Sequence, residues 1–289
     1  MFVSGFTFIR NAVKLDYPIE EAIRSILPLC DEVVVAVGDS EDNTLELVKA
    51  IDPKIRVVET VWDESLREGG KVLAIETDKA KQAVDRRADW LIYIQGDEVM
   101  HESGHLAIKE AMTTYLDDER VEGFLFKYTH FYGSYDYIGD SRTWYRQEIR
   151  IVRNIPQIRS WKDAQGFRLN GRKLNVIPVE ASIYHYGWVR HPKYMMAKSL
   201  EANKYWHDDQ WIKERFDAEK DFDYSQIDSL KHFEGSHPVV MQDRISRMNW
   251  EFDKDPSQKK FGFKAALLYY IEKHTGWRIG EHRNFKILK

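Results

Sequence analysis

The chain has 289 residues, 43% hydrophobic and 31% charged, with 43 basic against 47 acidic side chains and a formal net charge of −4. That balance leaves no basic footprint for nucleic acid, and a lone cysteine, Cys30, excludes intrachain disulfides and cysteine-cluster zinc sites. No apolar run approaches the ~18 residues that span a bilayer and the first residues lack a signal-peptide pattern, so a cytoplasmic protein without a transmembrane segment is expected.

In chain order, "MFVSGFTFI" (Met1–Ile9) reads as a strand. A helix follows from about Pro18 to Leu27, with proline at its start and an apolar stripe of Ala22, Ile23, Ile26 and Leu27. "EVVVAV" (Glu32–Val37) is a second, buried strand, then a turn and a helix with Ser40 as the expected N-cap and Asp42 in the first turn. "IRVVET" (Ile55–Thr60) is the third strand, and Gly69-Gly70 leads into a helix through about Arg87. The fourth strand, Trp90–Gln95, is almost purely apolar and ends abruptly in "GDE". Another helix covers about Gly104–Leu116, and "GFLFKYTHFY" (Gly123–Tyr132) is a fifth strand.

Alternating strands and helices imply right-handed crossovers and an α/β fold, a mostly parallel sheet flanked by helices, with ligands beyond the carboxyl ends of its strands. Four polar clusters fall there: Arg10-Asn11, Gly38–Asp42, Arg67–Lys71 and Gly96–Glu98. Past about Tyr135 the pattern loosens, with short strands expected at Gln147–Val152 and Val179–Tyr186. Residues 191–216 are helical in periodicity, as are stretches near Val240–Phe252 and Phe261–Lys273. With no internal repeat and no low-complexity linker, residues 1–200 are expected to form one ligand-binding domain, and 201–289 a helical C-terminal extension packed on it.

Two short stretches carry candidate chemistry. In extended chain, alternate side chains share a face, so Gln95 and Asp97 point one way and Glu98 the other. Their oxygens suit a hard cation such as Mg²⁺ or Mn²⁺ that leans on substrate phosphates, although acids at a strand tip also occur in plain surface loops. In "REGGK", paired glycines at a helix start bring backbone N–H groups toward an anion, beside the charges of Arg67 and Lys71; the other reading is a flexible turn with a solvated lysine.

The collinear run "GFTFIRNA", "VVVAVGDSEDNTLELV", "GGKVLAIETDKAKQAVDRRADWLIYIQGDE" and "IRIVRN" resembles the family 2 glycosyltransferases and their GT-A nucleotide-binding fold, over roughly residues 1–200. The resemblance implies transfer of a sugar, with inversion, from a nucleotide-diphosphate sugar to an acceptor, which a glycan, a lipid-linked molecule or a small molecule would satisfy. It implies a divalent cation, Mn²⁺ or Mg²⁺, as cofactor, and leaves peripheral membrane contact open. It places Phe8, Arg10, Asn11, Asp39 and Asp42 near the nucleoside, Lys71 near the diphosphate, Gln95 at the donor and Asp97 on the metal. By the same resemblance His185, in "IYHYGW", reaches the metal, and Asp163, in "SWKDAQGF", is the base that deprotonates the acceptor, with Glu180 or Asp140 next in line. Trp144, Trp161 and Trp188 would stack on a sugar face. Two positions depart from the family: Val37-Gly38 stands where an acid usually closes the second strand, and Gln95 replaces the first acid of Asp-x-Asp. Those missing acids keep a non-catalytic nucleotide- or sugar-binding protein on the same fold as an alternative. A sugar nucleotidyltransferase is disfavoured, because "FIRNAVKLDYP" lacks the glycine-rich loop such enzymes carry after the first strand.

Overall fold

The computed structural model describes residues 1–66 and 68–288, so Arg67, named above beside the diphosphate, lies outside the described residues. The first half is a run of crossovers: β1 (Val3–Ile9), α1 (Ile19–Ile26), β2 (Glu32–Gly38), α2 (Thr44–Ala50), β3 (Ile55–Thr60), α3 (Lys71–Gln82) and β4 (Trp90–Tyr93). Their strands pair in parallel in the order β3-β2-β1-β4. The β-branched run of β2 is buried on both faces, between the α1 residues Ile19, Ala22, Ile23 and Ile26 on one side and Ala80 of α3 on the other. Each such side chain contributes about 1.5–3 kcal/mol on burial.

Beyond β4 the sheet turns mixed. A short β5 (Glu98–Met100) and α4 (His105–Thr114) lead to β6 (Gly123–Tyr132), which folds back through Gly133 into β7 (Ser134–Gly139). β8 (Gln147–Arg153) then inserts antiparallel between β4 and β6, where a strictly parallel sheet would need another crossover. β9 (Ile158–Trp161) and β10 (Gly166–Leu169) form a hairpin on β11 (Arg172–Trp188), a 17-residue strand that also pairs with β5 and, in parallel, with β6. The result is a mixed α/β, GT-A-like sheet, parallel in its first half and mixed in its second.

Several expected boundaries shift. The helix begun at Gly70 stops at Gln82 rather than about Arg87. The helical stretch 191–216 is two helices, α5 (Pro192–Asn203) and α6 (Asp209–Arg215), because the Asp208 side chain caps a new start by accepting from the Trp211 N–H at 2.8 Å. Residues 201–289 are not helical throughout: β12 (Leu230–His232) pairs with β7 and β13 (Phe285–Ile287) with β11. The helix expected near Val240–Phe252 shrinks to α7 (Gln242–Ser246), whereas α8 (Phe263–Thr275) matches its periodicity. The strands missed in the sequence are all short, three to six residues, and β5, β12 and β13 pair only with distant partners.

Candidate active site

Strand order reverses between β1 and β4, with β2 and β3 on one side and β4 on the other, and a cleft of about 470 Å³ opens where these two strands end. Phe8, Arg10, Gln95, Asp97, Asp163 and His185 all line it, joined by Tyr17, Trp62, Trp188, Lys198 and Tyr205.

The tip of β4 is anchored from behind. Glu98 faces away from the cleft, as alternation requires, and receives both forks of the Arg150 guanidinium at 2.7 and 2.8 Å, with both side chains fully buried. Tyr128 donates to the same carboxylate at 2.9 Å. A buried pair of this kind is stiff because loss of either partner strands a charge in the interior. Arg150 belongs to "IRIVRN", so that motif supports the tip rather than touching the cleft.

On the cleft side, β11 carries the partner of Asp97. Its register sets His185 opposite Glu98 on β5 and opposite His130 on β6. Gly187 is required here, since a Cβ at that position would lie 2.5 Å from the His185 Nε2 and 2.9 Å from the Asp97 Oδ2. His185 Nδ1 and His130 Nδ1 are 3.0 Å apart, and His130 Nε2 lies 2.8 Å from the Tyr145 carbonyl. That carbonyl only accepts, so His130 donates from Nε2. Burial, reinforced by the neighbouring His185, pushes His130 down to about 3, so it is neutral near pH 7 and its Nδ1 carries a lone pair. His185 must therefore donate from Nδ1. Burial also depresses the basicity of His185 against the pull of Asp97, which leaves its Nε2 lone pair 3.8 Å from the Asp97 Oδ1.

The Asp97 Oδ1 and the His185 Nε2 are thus two acceptor atoms facing one small gap. Carboxylate plus imidazole suits Mn²⁺ or Mg²⁺ completed by substrate phosphates, with His130 orienting the imidazole from behind. Among the described residues no cluster of three acidic, histidine or cysteine side chains has metal-ligand geometry, so the protein offers these two donors and no closed cage. The second carboxylate oxygen is taken by Lys198 of α5, whose ammonium donates to Asp97 Oδ2 at 2.9 Å and to the Gly187 carbonyl at 2.7 Å. Burial alone would push the Asp97 carboxyl up, but Lys198, then His185 and Arg190, outweigh it and hold it well below the usual carboxylate range. Burial, aided by Arg190, lowers Lys198 to about 8.

Asp163 comes from the turn between β9 and β10. The residues on either side, Lys162 and Ala164, both have positive φ, 55° and 63°, a conformation that costs about 1 kcal/mol for a residue with a Cβ. The turn is held from two directions. Gln95 donates its amide N–H to the Ala164 carbonyl at 3.1 Å, and Gly70, itself at φ 66°, packs so closely that a Cβ would lie 2.7 Å from that of Asp163. The glycine pair thus brings the start of α3 against the Asp163 turn. An ionised acid at position 95 would have no proton to give that carbonyl near pH 7, so the amide is what ties the turn to β4.

The other sequence candidates are placed elsewhere. Asn11 accepts from the Glu41 N–H at 2.8 Å and Asp42 from the Lys14 and Thr44 N–H groups, so both shape the loop after β2; Asp42, not Ser40, serves the start of α2. Asp39 meets Arg10 and, with Asp42, lines a neighbouring pocket of about 430 Å³. The Lys71 ammonium bonds Glu68 at 2.6 Å and is not among the cleft-lining groups. Glu180 pairs with Lys127, and Asp140 with Lys259 and Tyr269. Of the three tryptophans, Trp188 lines the cleft, while Trp144 packs on His130 and Trp161 against Arg168. The sequence reading missed Lys198, His130, Trp62 and Tyr205. Trp62 packs on Gly38 and with Phe8 and Tyr205 makes an aromatic wall with ring centroids 5.6–5.7 Å apart.

No family model matches the sequence, and none of the curated proteins does. Among solved structures, S. aureus TarS in complex with UDP-GlcNAc matches at 20% identity over 45% of this chain and 35% of that chain, with a TM-score of 0.34. A second structure of S. aureus TarS matches at 16% identity over 70% of this chain and 39% of that one, TM-score 0.41. Glucosyl-3-phosphoglycerate synthase from Mycobacterium tuberculosis, in complex with Mn²⁺, UDP and phosphoglyceric acid, matches at 23% identity over 45% and 43%, TM-score 0.30. The chain thus spans less than half the length of these solved chains.

Proposed function

We propose that this protein is an inverting glycosyltransferase that moves a sugar from a nucleotide-diphosphate sugar to an acceptor hydroxyl. One observation carries the reading: a cation-seeking pair, Asp97 and His185, and a separately braced carboxylate, Asp163, line one cleft at the reversal of the sheet. The aromatic wall of Phe8, Trp62 and Tyr205 suits a nucleoside, with Arg10 beside it. The donor diphosphate would then lie toward Asp97, where Lys198, bonded to that carboxylate and to the Gly187 carbonyl, supplies a positive charge. A divalent cation held by Asp97 and His185 would neutralise charge on the departing diphosphate.

In the transfer itself, Asp163 takes the proton of the acceptor hydroxyl as its oxygen bonds to the anomeric carbon. The bond from that carbon to the diphosphate oxygen breaks on the opposite face, so configuration inverts and the nucleoside diphosphate leaves with the electron pair. A single carboxylate suffices for this displacement, and it must reach the hydroxyl within roughly 2.6–3.2 Å or through one water. The remaining lining, Trp188 and the face of α5, stands beside the sugar end and would meet the acceptor, whether glycan, lipid-linked or small.

The test is turnover of a panel of nucleotide-diphosphate sugars with Mn²⁺ present, followed by release of the nucleoside diphosphate. At least one donor should be consumed, and Asp97→Ala should abolish metal-dependent nucleoside-diphosphate binding in calorimetry while the fold is retained. Binding without any turnover across donors and acceptors would instead point to a non-catalytic binding protein. Undiminished affinity in Asp97→Ala would remove Asp97 from the donor site.

A further inference from the structure

Helix α8 turns large apolar side chains outward, which a helix lying on a protein surface has no reason to do. Its inner face is accounted for. Tyr269 is buried and donates to Asp140 at 2.5 Å, and Glu272 takes ion pairs from Arg142 and Arg278 at 2.7 and 3.5 Å. Its outer face carries Phe263, 90% exposed, Leu267, 53%, and Tyr270, 52%, at the i, i+4, i+7 spacing of a single stripe. Past the left-handed cap at Gly276, Trp277 adds a further apolar group, 66% exposed. At about 100° per residue, Lys264 and Lys273 fall on opposite flanks of that stripe. A groove of about 600 Å³, lined in part by Phe261, Phe263 and Leu268, opens at the helix start.

Charge separates the occupants such a face could take. Residues 259–288 contain seven lysines and arginines against two glutamates, in a chain whose net charge is −4. Residues 1–258 correspondingly carry an excess of ten acids. A second copy pairing stripe to stripe would set two of these basic segments face to face, which opposes association. An anionic, extended and partly apolar surface complements it instead. Tryptophan, tyrosine and phenylalanine are the side chains that settle at the level of lipid headgroups, and lysines on either flank reach up to the headgroup charge while their stems stay apolar.

We infer that α8 and Trp277 dock this protein on an anionic lipid bilayer, lying in the interface. The attachment is peripheral, since no described helix is long and apolar enough to cross a membrane. The same segment that clamps α8 through Arg142 also gives the Tyr145 carbonyl to His130, so the docked helix and the cleft's histidine pair share one support.

Sedimentation of the full chain with vesicles tests the inference. The protein should pellet with phosphatidylcholine–phosphatidylglycerol vesicles, pellet far less with phosphatidylcholine alone, and come off as salt is raised toward ~0.5 M. The triple variant Phe263→Ser, Leu267→Ser, Tyr270→Ser should bind at least about tenfold more weakly. Its thermal midpoint should be unchanged, because these side chains are exposed. Lys264→Glu alone should weaken binding several-fold without touching an apolar group, whereas Lys273 is left in place because it bonds the buried Tyr269. The inference fails if wild type stays in solution with both vesicle types, if neutral and anionic vesicles bind equally, or if the triple variant pellets like wild type. A dimer that dissociates in the triple variant, with no vesicle binding, would assign the face to self-association and overturn it equally.

Discussion

The two walls of the cleft are built differently. The first wall consists of strand ends: Arg10 leaves β1, buried except at Phe8, and Gln95–Asp97 leave β4, buried throughout and braced from behind by the Glu98–Arg150 pair. The facing wall is a turn with two left-handed residues around Asp163 and one face of α5 bearing Lys198. A sheet edge holds a group at fixed coordinates, whereas a strained turn and a helix joined by side-chain contacts hold one through partners that can be removed singly. Substitutions on the second wall should therefore change chemistry and diphosphate binding with little change in folding stability.

The largest effect belongs to the turn. Asp163→Asn keeps the shape of the side chain and removes the base, so transfer should fall by about 10²–10⁴-fold while nucleoside-diphosphate binding and the thermal midpoint hold. Steady-state turnover beside calorimetry makes the comparison. A variant that loses thermal stability yet keeps its specific activity would return Asp163 to a purely structural role.

Next comes the contrast between two lysines. Lys198→Met should weaken nucleoside-diphosphate binding about 10–100-fold while binding of the free nucleoside changes little, because an ammonium lost from a buried charged pair affects the phosphate end of the ligand. Lys71→Met should leave both affinities near wild type, since its ammonium is engaged by Glu68 outside the cleft. The reverse result, with Lys71 sensitive and Lys198 silent, would return the diphosphate to the start of α3.

Gln95 ties the two walls together, and a smaller loss is expected there. Gln95→Glu replaces the N–H given to Ala164 with a second acceptor, so the turn loses its tether and transfer should fall about tenfold. Nucleoside-diphosphate affinity should hold if the glutamine acts through Asp163. A gain in Mn²⁺ affinity with transfer undiminished would mean instead that position 95 is a ligand that accepts either side chain.

What the sequence makes legible follows the same division. β2 and β4 stand out because buried parallel strands require unbroken β-branched and aromatic runs, and the polar residues at their ends are therefore conspicuous. Asp97 and Arg10 are found that way. Lys198 is not, because it lies a hundred residues downstream on a helix whose lysines look alike until α5 is folded over the cleft. His130 reads as one more residue in a strand, since only the long-range register of β6 with β11 sets it against His185. The reason for Gln95 is equally invisible, because its partner is a backbone carbonyl 69 residues away.

The smallest effect lies behind both walls and touches no step of the reaction. Glu148 is 97% buried next to Arg150. Burial pushes its carboxyl up to about 7, against the opposing pull of the Arg150 guanidinium. The folded protein therefore holds a proton there between about pH 4.5 and 7 that the unfolded chain has already released. With more protons bound in the native state, stability contributed by this site is complete below pH 4.5 and declines as pH rises toward 7, by on the order of 3 kcal/mol. Thermal midpoints measured from pH 5 to 8 should fall along that range in wild type, and the slope should flatten in Glu148→Gln, whose amide is neutral throughout. Because Arg150 also holds Glu98, a flattened slope with unchanged nucleoside-diphosphate affinity would show that the strand tip is insulated from the proton behind it. If affinity instead follows the Glu148 titration, the first wall is not rigid, and the contrast between the two walls fails at its base.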